Sequence, residues 1–277
     1  MTPDLRITPW RADLADRALE GVLAAERYVE PRLMQVSHPA LGVHAAPDSA
    51  SEQVDQVLFG EGFNLLEDHA GWAWGQARRD GYVGYVRTEG LSARGAVPTH
   101  RVAAIRTYAF AAPSIKAQAL GPYCLNSLVA VTAQDGRFAQ AESGAWFIEA
   151  HLSPIGLFES DPVAVAERFL GAPYLWGGRQ SLGVDCSGLV QQARFACGLA
   201  SPRDTDQQRT LGREVAAQDL VRGDLVFWRG HVGIMLDAER LLHANAHHMA
   251  TAIEPLAEAI ERIAVGPTGA PIAYRRP

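Results

Sequence analysis

The pentapeptide Asp185-Cys186-Ser187-Gly188-Leu189 places a cysteine where an extended approach gives way to a helix. The approach, Pro173-Tyr174-Leu175-Trp176-Gly177-Gly178, is glycine-rich, and residues 190–196 read as a helix that ends at Gly198. A thiol at a helix start sits at the positive end of the dipole, which favours the thiolate, its nucleophilic form. The first backbone N–H groups of a helix have no intrahelical partner and suit a developing oxyanion. A buried structural cysteine is the plain alternative for a lone Cys.

Two histidines give this cysteine a chemical context. Leu225-Val226-Phe227-Trp228 is a short apolar run and Arg229-Gly230 a turn, so residues 231–236 read as a second strand. Leu241-Leu242-His243 reads as a third strand, across the turn Asp237-Ala238-Glu239-Arg240. With an odd number of loop residues, His231 and His243 share one face of the hairpin. The four-residue turn, taken literally, puts them on opposite faces; a three- or five-residue loop, or a bulge, restores the match. In the odd register His231 deprotonates Cys186 and His243 orients His231. That is the nucleophile, base and orienter logic of a cysteine hydrolase.

Residues 156–277 resemble the NlpC-type cell-wall cysteine peptidases, papain-like hydrolases of peptidoglycan peptides. The resemblance rests on Tyr174-Leu175-Trp176-Gly177-Gly178, Asp185-Cys186-Ser187-Gly188-Leu189, Pro202-Arg203-Asp204-Thr205, Gly223-Asp224-Leu225-Val226-Phe227, His231-Val232-Gly233-Ile234 and His243, in that order. It implies that Cys186 is the nucleophile, His231 the general base, His243 the third polar residue and Tyr174 a support for the oxyanion.

The 277 residues suit two or three modules. A content of 48% hydrophobic and 20% charged residues is that of an ordinary soluble protein. The net charge of −6 argues against a broad grip on nucleic acid or anionic lipid. No apolar run approaches the roughly 20 residues that span a bilayer. Residues 14–29 read as an amphipathic helix and not as a signal sequence, and three scattered cysteines suit a reducing compartment. These features point to the cytoplasm, where a wall hydrolase meets released fragments.

Residues 36–154 read as two copies of one small β module. Leu65-Leu66-Glu67-Asp68 leads into Gly71-Trp72-Ala73-Trp74, and Val129-Ala130-Val131-Thr132 leads into Gly136-Arg137-Phe138-Ala139. Such spacing suggests small barrels, or else convergent β patterning. With the peptidase behind them, the modules resemble the paired bacterial SH3-like domains that precede some of these enzymes. The fold expected is therefore α+β: a helical segment (1–35), two SH3-like barrels (36–95 and 96–155) and a papain-like catalytic domain (156–277).

This arrangement resembles the γ-D-glutamyl-L-diamino acid endopeptidases of muropeptide recycling. The resemblance implies a short stem peptide with a free N-terminal L-alanine as substrate, met by a Glu and a Tyr of the first SH3-like domain. Glu61, in Phe59-Gly60-Glu61, and Tyr82 are the matches. A solvated turn carboxylate and a barrel-core aromatic are their alternatives. Asp185 either caps the helix or, with Ser187, helps bind the dipeptide. Trp176 is expected as an apolar wall of the groove and Thr205 as a polar neighbour of the substrate.

Cys124 and Cys197 read as core residues, and 161–171 as a helix 163–170 capped by Asp161 with Pro162 at its first turn. The histidines near His243 lack a thiol or carboxylate at a recognisable ligand spacing, so no metal is expected, nor any other cofactor. The protein is expected to act as a monomer. Competing readings are an amidase or acyltransferase on another small amide or ester, and a non-catalytic wall-binding scaffold.

Overall fold

In the computed structural model, which describes residues 3–277, Gly21 takes φ = 79°. That left-handed backbone interrupts any right-handed helix. The helix expected over 14–29 is accordingly absent. Instead β1 (Ala15–Asp16) pairs in parallel with β2 (Tyr28–Val29), and only Arg17–Leu19 makes a 3₁₀ turn, capped by the Asp16 carboxylate. The apolar residues do not share a face: Leu14 is fully buried while Val22 is 72% exposed. Side chains hold the connection, with the Tyr28 hydroxyl donating to the Leu23 carbonyl at 2.6 Å and Trp10 Nε1 to the Ala24 carbonyl at 2.9 Å.

The chain divides into two units, Met1–Ile155 and Gly156–Pro277. In the first, β3 (Arg32–Val36), β4 (Ala40–His44), β5 (Gln53–Leu58), β6 (Gly62–His69), β7 (Trp72–Ala77), β8 (Val83–Arg87) and β9 (Leu91–Ala93) form one seven-stranded sheet, in the order β5-β4-β8-β7-β6-β3-β9. Its inward residues, among them Val36, Val43, Val57, Phe63 and Val86, make one core. Farther along lie β10 (His100–Val102), β11 (Arg106–Phe110), β12 (Ala119–Cys124), β13 (Leu128–Val129), β14 (Val131–Asp135), β15 (Phe138–Ala141), β16 (Trp146–Ile148) and β17 (Leu152–Pro154). They split into a three-stranded sheet, β13-β10-β17, and a five-stranded one, β12-β11-β16-β15-β14. Val102, Tyr123, Val129 and Phe147 form their separate core.

The repeated pattern corresponds to a repeated topology. Hairpin β6–β7 turns between His69 and Trp72, with Gly71 at φ = 79°, and hairpin β14–β15 turns between Asp135 and Phe138, with Gly136 at φ = 55°. Each hairpin is followed by a strand, a 3₁₀ turn (Thr88–Gly90 or Glu149–His151) and a short closing strand. The two bodies differ in that the second divides its strands between two sheets.

The second unit mixes helices with a sheet. Asp161 caps α1 (Pro162–Glu167), accepting the Val163 N–H at 2.8 Å. This helix is shorter than the 163–170 expected, with Arg168 already its C-cap. After it come β18 (Arg179–Gln180), β19 (Gly183–Val184), α2 (Cys186–Ala196), α3 (Thr205–Gln208), β20 (Arg213–Glu214), β21 (Leu225–Trp228), β22 (His231–Met235), β23 (Arg240–Asn245), β24 (Ala250–Pro255), α4 (Leu256–Ala264) and β25 (Ala273–Arg276). The six-stranded sheet runs β20-β25-β21-β22-β23-β24. Its β21 is buried along its whole length, as a continuous apolar run requires. Val226, Trp228, Met235 and Leu241 cluster with Ala259 of α4, while α2 packs on β22 and β23. Buried Asp224, just before β21, holds Arg276 of β25 through both carboxylate oxygens at 2.8 Å.

Candidate active site

Asp185 starts the site by starting the helix. Its backbone is extended (φ −97°, ψ 179°), and its Oδ1 accepts the Gly188 N–H at 2.7 Å, so the side chain closes the first turn of α2. Oδ2 accepts the Gly177 N–H at 2.8 Å, tying the glycine loop to the helix start. At Gly178 a Cβ would lie 2.4 Å from the Gly183 carbonyl oxygen, so the loop needs glycine there to approach so closely. Arg203 completes the arrangement, donating to Oδ1 at 3.0 Å, to Oδ2 at 2.5 Å and to Ser187 Oγ at 2.7 Å. Both Arg203 and Asp185 are buried.

The result is a cysteine sealed from solvent. Cys186 is only 4% exposed. Burial pushes its thiol up to about 12, and the Asp185 charge adds to the effect. The Val232 backbone N–H, Arg203 and the Ser187 backbone N–H pull the other way without cancelling it. The thiolate expected from the helix start is therefore not the resting form: desolvation outweighs the dipole. Val232 follows His231 directly, so its bond to the sulfur brings the start of β22 to Cys186.

The β22–β23 hairpin settles the register left open by the sequence. Ile234 pairs with Leu242 and Met235 with Leu241, and the Leu236 N–H donates to the Arg240 carbonyl. The loop is thus Asp237-Ala238-Glu239, shorter by one residue than the four-residue turn. Asp237 Oδ1 accepts the N–H groups of Glu239 and Arg240, which draws Arg240 into the strand. In this odd register His231 Nε2 lies 2.8 Å from His243 Nδ1. His243 is fully buried, and its Nε2 is 2.6 Å from Glu254 Oε1 on β24. Arg262 of α4 donates to the same Glu254 oxygen.

Both imidazoles are held neutral. Burial lowers His231 to about 3, helped by His243 and Arg262, with Glu254 and Asp185 opposing. Burial likewise lowers His243 to about 3, followed by the charges of Arg262, His248 and His247. The Cys186 thiol and both imidazoles are thus neutral at rest.

Tyr174 stands near the same atoms. Its phenol is pushed up first by burial and then by negative charge at Cys186 and Asp185. The Tyr174 N–H donates to the Met249 carbonyl, and Tyr174 bridges to Val184 beside the helix start. Trp176, in the same loop, is 53% exposed. Ser187 is buried with its hydroxyl on Asp185 and Arg203. Thr205 opens α3 behind its cap Asp204 and lines a cavity of about 120 Å³ with Trp228 and Gly230.

Glu61 and Tyr82 belong to the first unit. The Glu61 carboxylate is 1% exposed, accepts the Leu58 N–H at 3.0 Å and lies 3.9 Å from Arg79. Glu61 also lines a cavity of about 270 Å³ with Arg78, Arg79 and Arg94. It is therefore not the solvated turn carboxylate named as its alternative. Tyr82 is 5% exposed, and its N–H donates to Asp80 Oδ1. Cys124 is buried, whereas Cys197 is partly exposed at the end of α2.

The fold adds three residues to the site that sequence reasoning gave no role. Arg203 lay in a matched motif, but nothing in its spacing announced a partner at Asp185. Glu254 and Arg262 join His243 only through strand pairing and the return of α4. His243, His248 and Glu254 present possible ligand atoms within 4.8 Å of one another, a carboxylate–imidazole grouping that the linear spacing concealed. Hydrogen bonds account for it: His243 spends its nitrogens on His231 and Glu254, and His248 Nδ1 lies 3.0 Å from Asn245 Oδ1.

A capped helix-start cysteine whose sulfur meets the amide next to His231, with His231 bonded in turn to His243, is the arrangement of a cysteine hydrolase. Residues 171–261 match the NlpC/P60 family and residues 43–91 the bacterial dipeptidyl-peptidase SH3 domain. The chain is a cysteine peptidase with an NlpC/P60 catalytic domain and a bacterial SH3 domain. Among similar proteins, the gamma-D-glutamyl-L-lysine dipeptidyl-peptidase of Bacillus subtilis is 28% identical over 226 residues, 74% of this chain and 76% of that one. A probable endopeptidase of Haemophilus influenzae is 42% identical over 86 residues, 28% of this chain and 53% of its own length. The crystal structure of an NlpC/P60 family protein from Bacillus cereus covers 88% of this chain and 99% of that one, with a TM-score of 0.75 at 19% identity. That likeness is one of fold. Among the described residues no helix is long and apolar enough to cross a membrane.

Proposed function

We propose that the protein hydrolyses the γ-D-glutamyl–diamino acid bond of free L-Ala-γ-D-Glu-diamino acid peptides. The carrying observation is the 226-residue similarity to the gamma-D-glutamyl-L-lysine dipeptidyl-peptidase, which extends well beyond the catalytic domain. Cys186 attacks the γ-carbonyl carbon while its proton passes to His231. His231 then protonates the departing α-amine of the diamino acid. Water, deprotonated by His231, attacks the acyl-enzyme and frees the sulfur. Tyr174 and the amides at the start of α2 face the developing oxyanion in this reading.

The proposal includes the second β body as a further SH3-like domain, action on released peptides in the cytoplasm, and selection for a free N-terminal amine that depends on Glu61, Tyr82 and Asp185. Asp185 already receives five hydrogen bonds, so its part is to add negative field at the groove as well as to cap the helix. Trp176 is exposed enough to wall the groove, and Ser187 and Thr205 complete the proposed substrate set. The test is mass spectrometry of products from L-Ala-γ-D-Glu-diaminopimelate and its lysine counterpart, each free and N-acetylated. Release of the intact dipeptide from the free forms is expected. Cleavage elsewhere, or none, removes the proposal, and equal cleavage of free and acetylated peptides removes the amine selection.

A further inference from the structure

We propose that Glu254 is a positioning residue of the catalytic centre, whose carboxylate sets the tautomers of both histidines and so leaves His231 Nδ1 as the nitrogen that receives the cysteine proton. The inference rests on the assignment of Cys186 and His231 as nucleophile and base.

The geometry carries it step by step. An ionised carboxylate only accepts hydrogen bonds. Glu254 Oε1 lies 2.6 Å from His243 Nε2, so that nitrogen bears the hydrogen. A neutral imidazole carries one N–H, which makes His243 Nδ1 an acceptor. His231 Nε2, 2.8 Å away, must then donate to it. His231 has spent its only hydrogen, and its Nδ1 is left with a lone pair. Arg262 donates to the same oxygen of Glu254 and holds that carboxylate in place. One charged pair, on β24 and α4, thereby fixes the protonation pattern of two rings on β22 and β23.

Without the carboxylate nothing selects this pattern. His243 is then free to carry its hydrogen on Nδ1 and to donate to His231 Nε2. That forces the His231 hydrogen onto Nδ1, the nitrogen required to be bare, and the base is disabled although both rings remain in place. In the working order the proton leaves Cys186 Sγ for His231 Nδ1 and later passes to the leaving amine. Glu254 neither gains nor loses a proton.

The experiment uses the full chain labelled with ¹⁵N-histidine, as the parent protein and as Glu254→Ala and Glu254→Gln. Long-range ¹H–¹⁵N spectra at neutral pH report each ring's tautomer, and iodoacetamide alkylation of Cys186 reports the base without any assumption about substrate. Hydrolysis of the free stem peptide gives kcat and KM. The parent is expected to show Nε2–H on both rings. Glu254→Ala should lose that pattern, slow Cys186 alkylation and lower kcat by roughly 10- to 100-fold with KM little changed, as for other groups that orient a catalytic ring. Glu254→Gln, whose Oε1 still accepts from both His243 and Arg262, should keep the tautomers and most of the rate. Should the alanine variant fail to fold, the tautomers of the parent itself keep the proposal open to refutation. Parental tautomers and rates in Glu254→Ala, an Nδ1–H tautomer in the parent, or a glutamine variant that keeps the tautomers yet loses the rate, would each overturn the proposal. Failure to cleave the peptide with the tautomers as stated would count against the substrate alone.

Discussion

Arg203 grips Asp185 through both ends of its guanidinium, Nη1 to Oδ1 at 3.0 Å and Nη2 to Oδ2 at 2.5 Å, with both side chains sealed from solvent. The pair joins the segment before α3 to the cap of α2, one residue from Cys186. A bidentate, charge-assisted contact of this kind fixes geometry as well as adding energy. Asp185 thus positions Cys186 by holding three things at once: its own helix, the Gly177 loop and Arg203.

Removing Arg203 leaves the Asp185 charge buried with only amides and a hydroxyl to hold it. Breaking a buried pair in this way costs roughly 3–5 kcal/mol. Arg203→Ala should therefore lower the unfolding transition that accompanies loss of activity, measured by calorimetry on the full chain. Arg203→Lys keeps the charge and loses the fork, so its transition should fall between the two. A transition in Arg203→Ala equal to that of the parent would mean that the pair is solvated.

Much of this site was legible because its signals are local. Asp185 before an apolar helix is an N-cap pattern, and the runs around Arg229-Gly230 mark a hairpin whose ends, Trp228 and His231, do pair. The loop length after Leu236 was not legible, since it depends on the Asp237 carboxylate capturing two backbone amides. The helix over 14–29 failed for a related reason. Apolar spacing suggested it, but Gly21 and two side-chain-to-carbonyl bonds built a loop. Arg203, Glu254 and Arg262 were silent because their partners are distant in the chain and adjacent only across folded elements. Even the thiol's protonation reversed, because local position shows the dipole while burial is a property of the whole unit.

That reversal is measurable. With the Cys186 thiol pushed up to about 12 and His231 neutral, only a small fraction is thiolate at neutral pH. Iodoacetamide inactivation should accelerate by about tenfold per pH unit between roughly pH 6 and 9. Labelling of partly exposed Cys197, followed by peptide mapping, should run independently of activity. A Cys186 labelling rate already at its plateau near pH 5 would show a resting thiolate–imidazolium pair instead.

In the proposed mechanism His231 and His243 differ in what they do for that proton. His231→Ala removes the acceptor and should abolish nearly all turnover of the stem peptide. His243→Gln keeps a polar group beside His231 Nε2 and should retain part of it, more than His243→Ala. The comparison is kcat at saturating peptide for the three variants. Parental activity in His243→Ala would remove the orienting role.

The same two rings should make the fold sensitive to acid. Each has its folded value lowered from 6.5 to about 3, chiefly by burial. A lowered value means that the unfolded chain binds protons more readily, so the contribution is fully present above about pH 6.5. It is lost as the pH falls from there towards 3. Each ring contributes a slope of about 1.4 kcal/mol per pH unit within that window. His243→Gln removes one of the two proton sites, and its stability should fall less steeply than the parent's between pH 6 and pH 4. Urea unfolding of both proteins across that range checks the difference, since exposed carboxylates contribute equally to each. Parallel curves would show that His243 titrates alike in the folded and unfolded chain, and that burial does not hold it neutral.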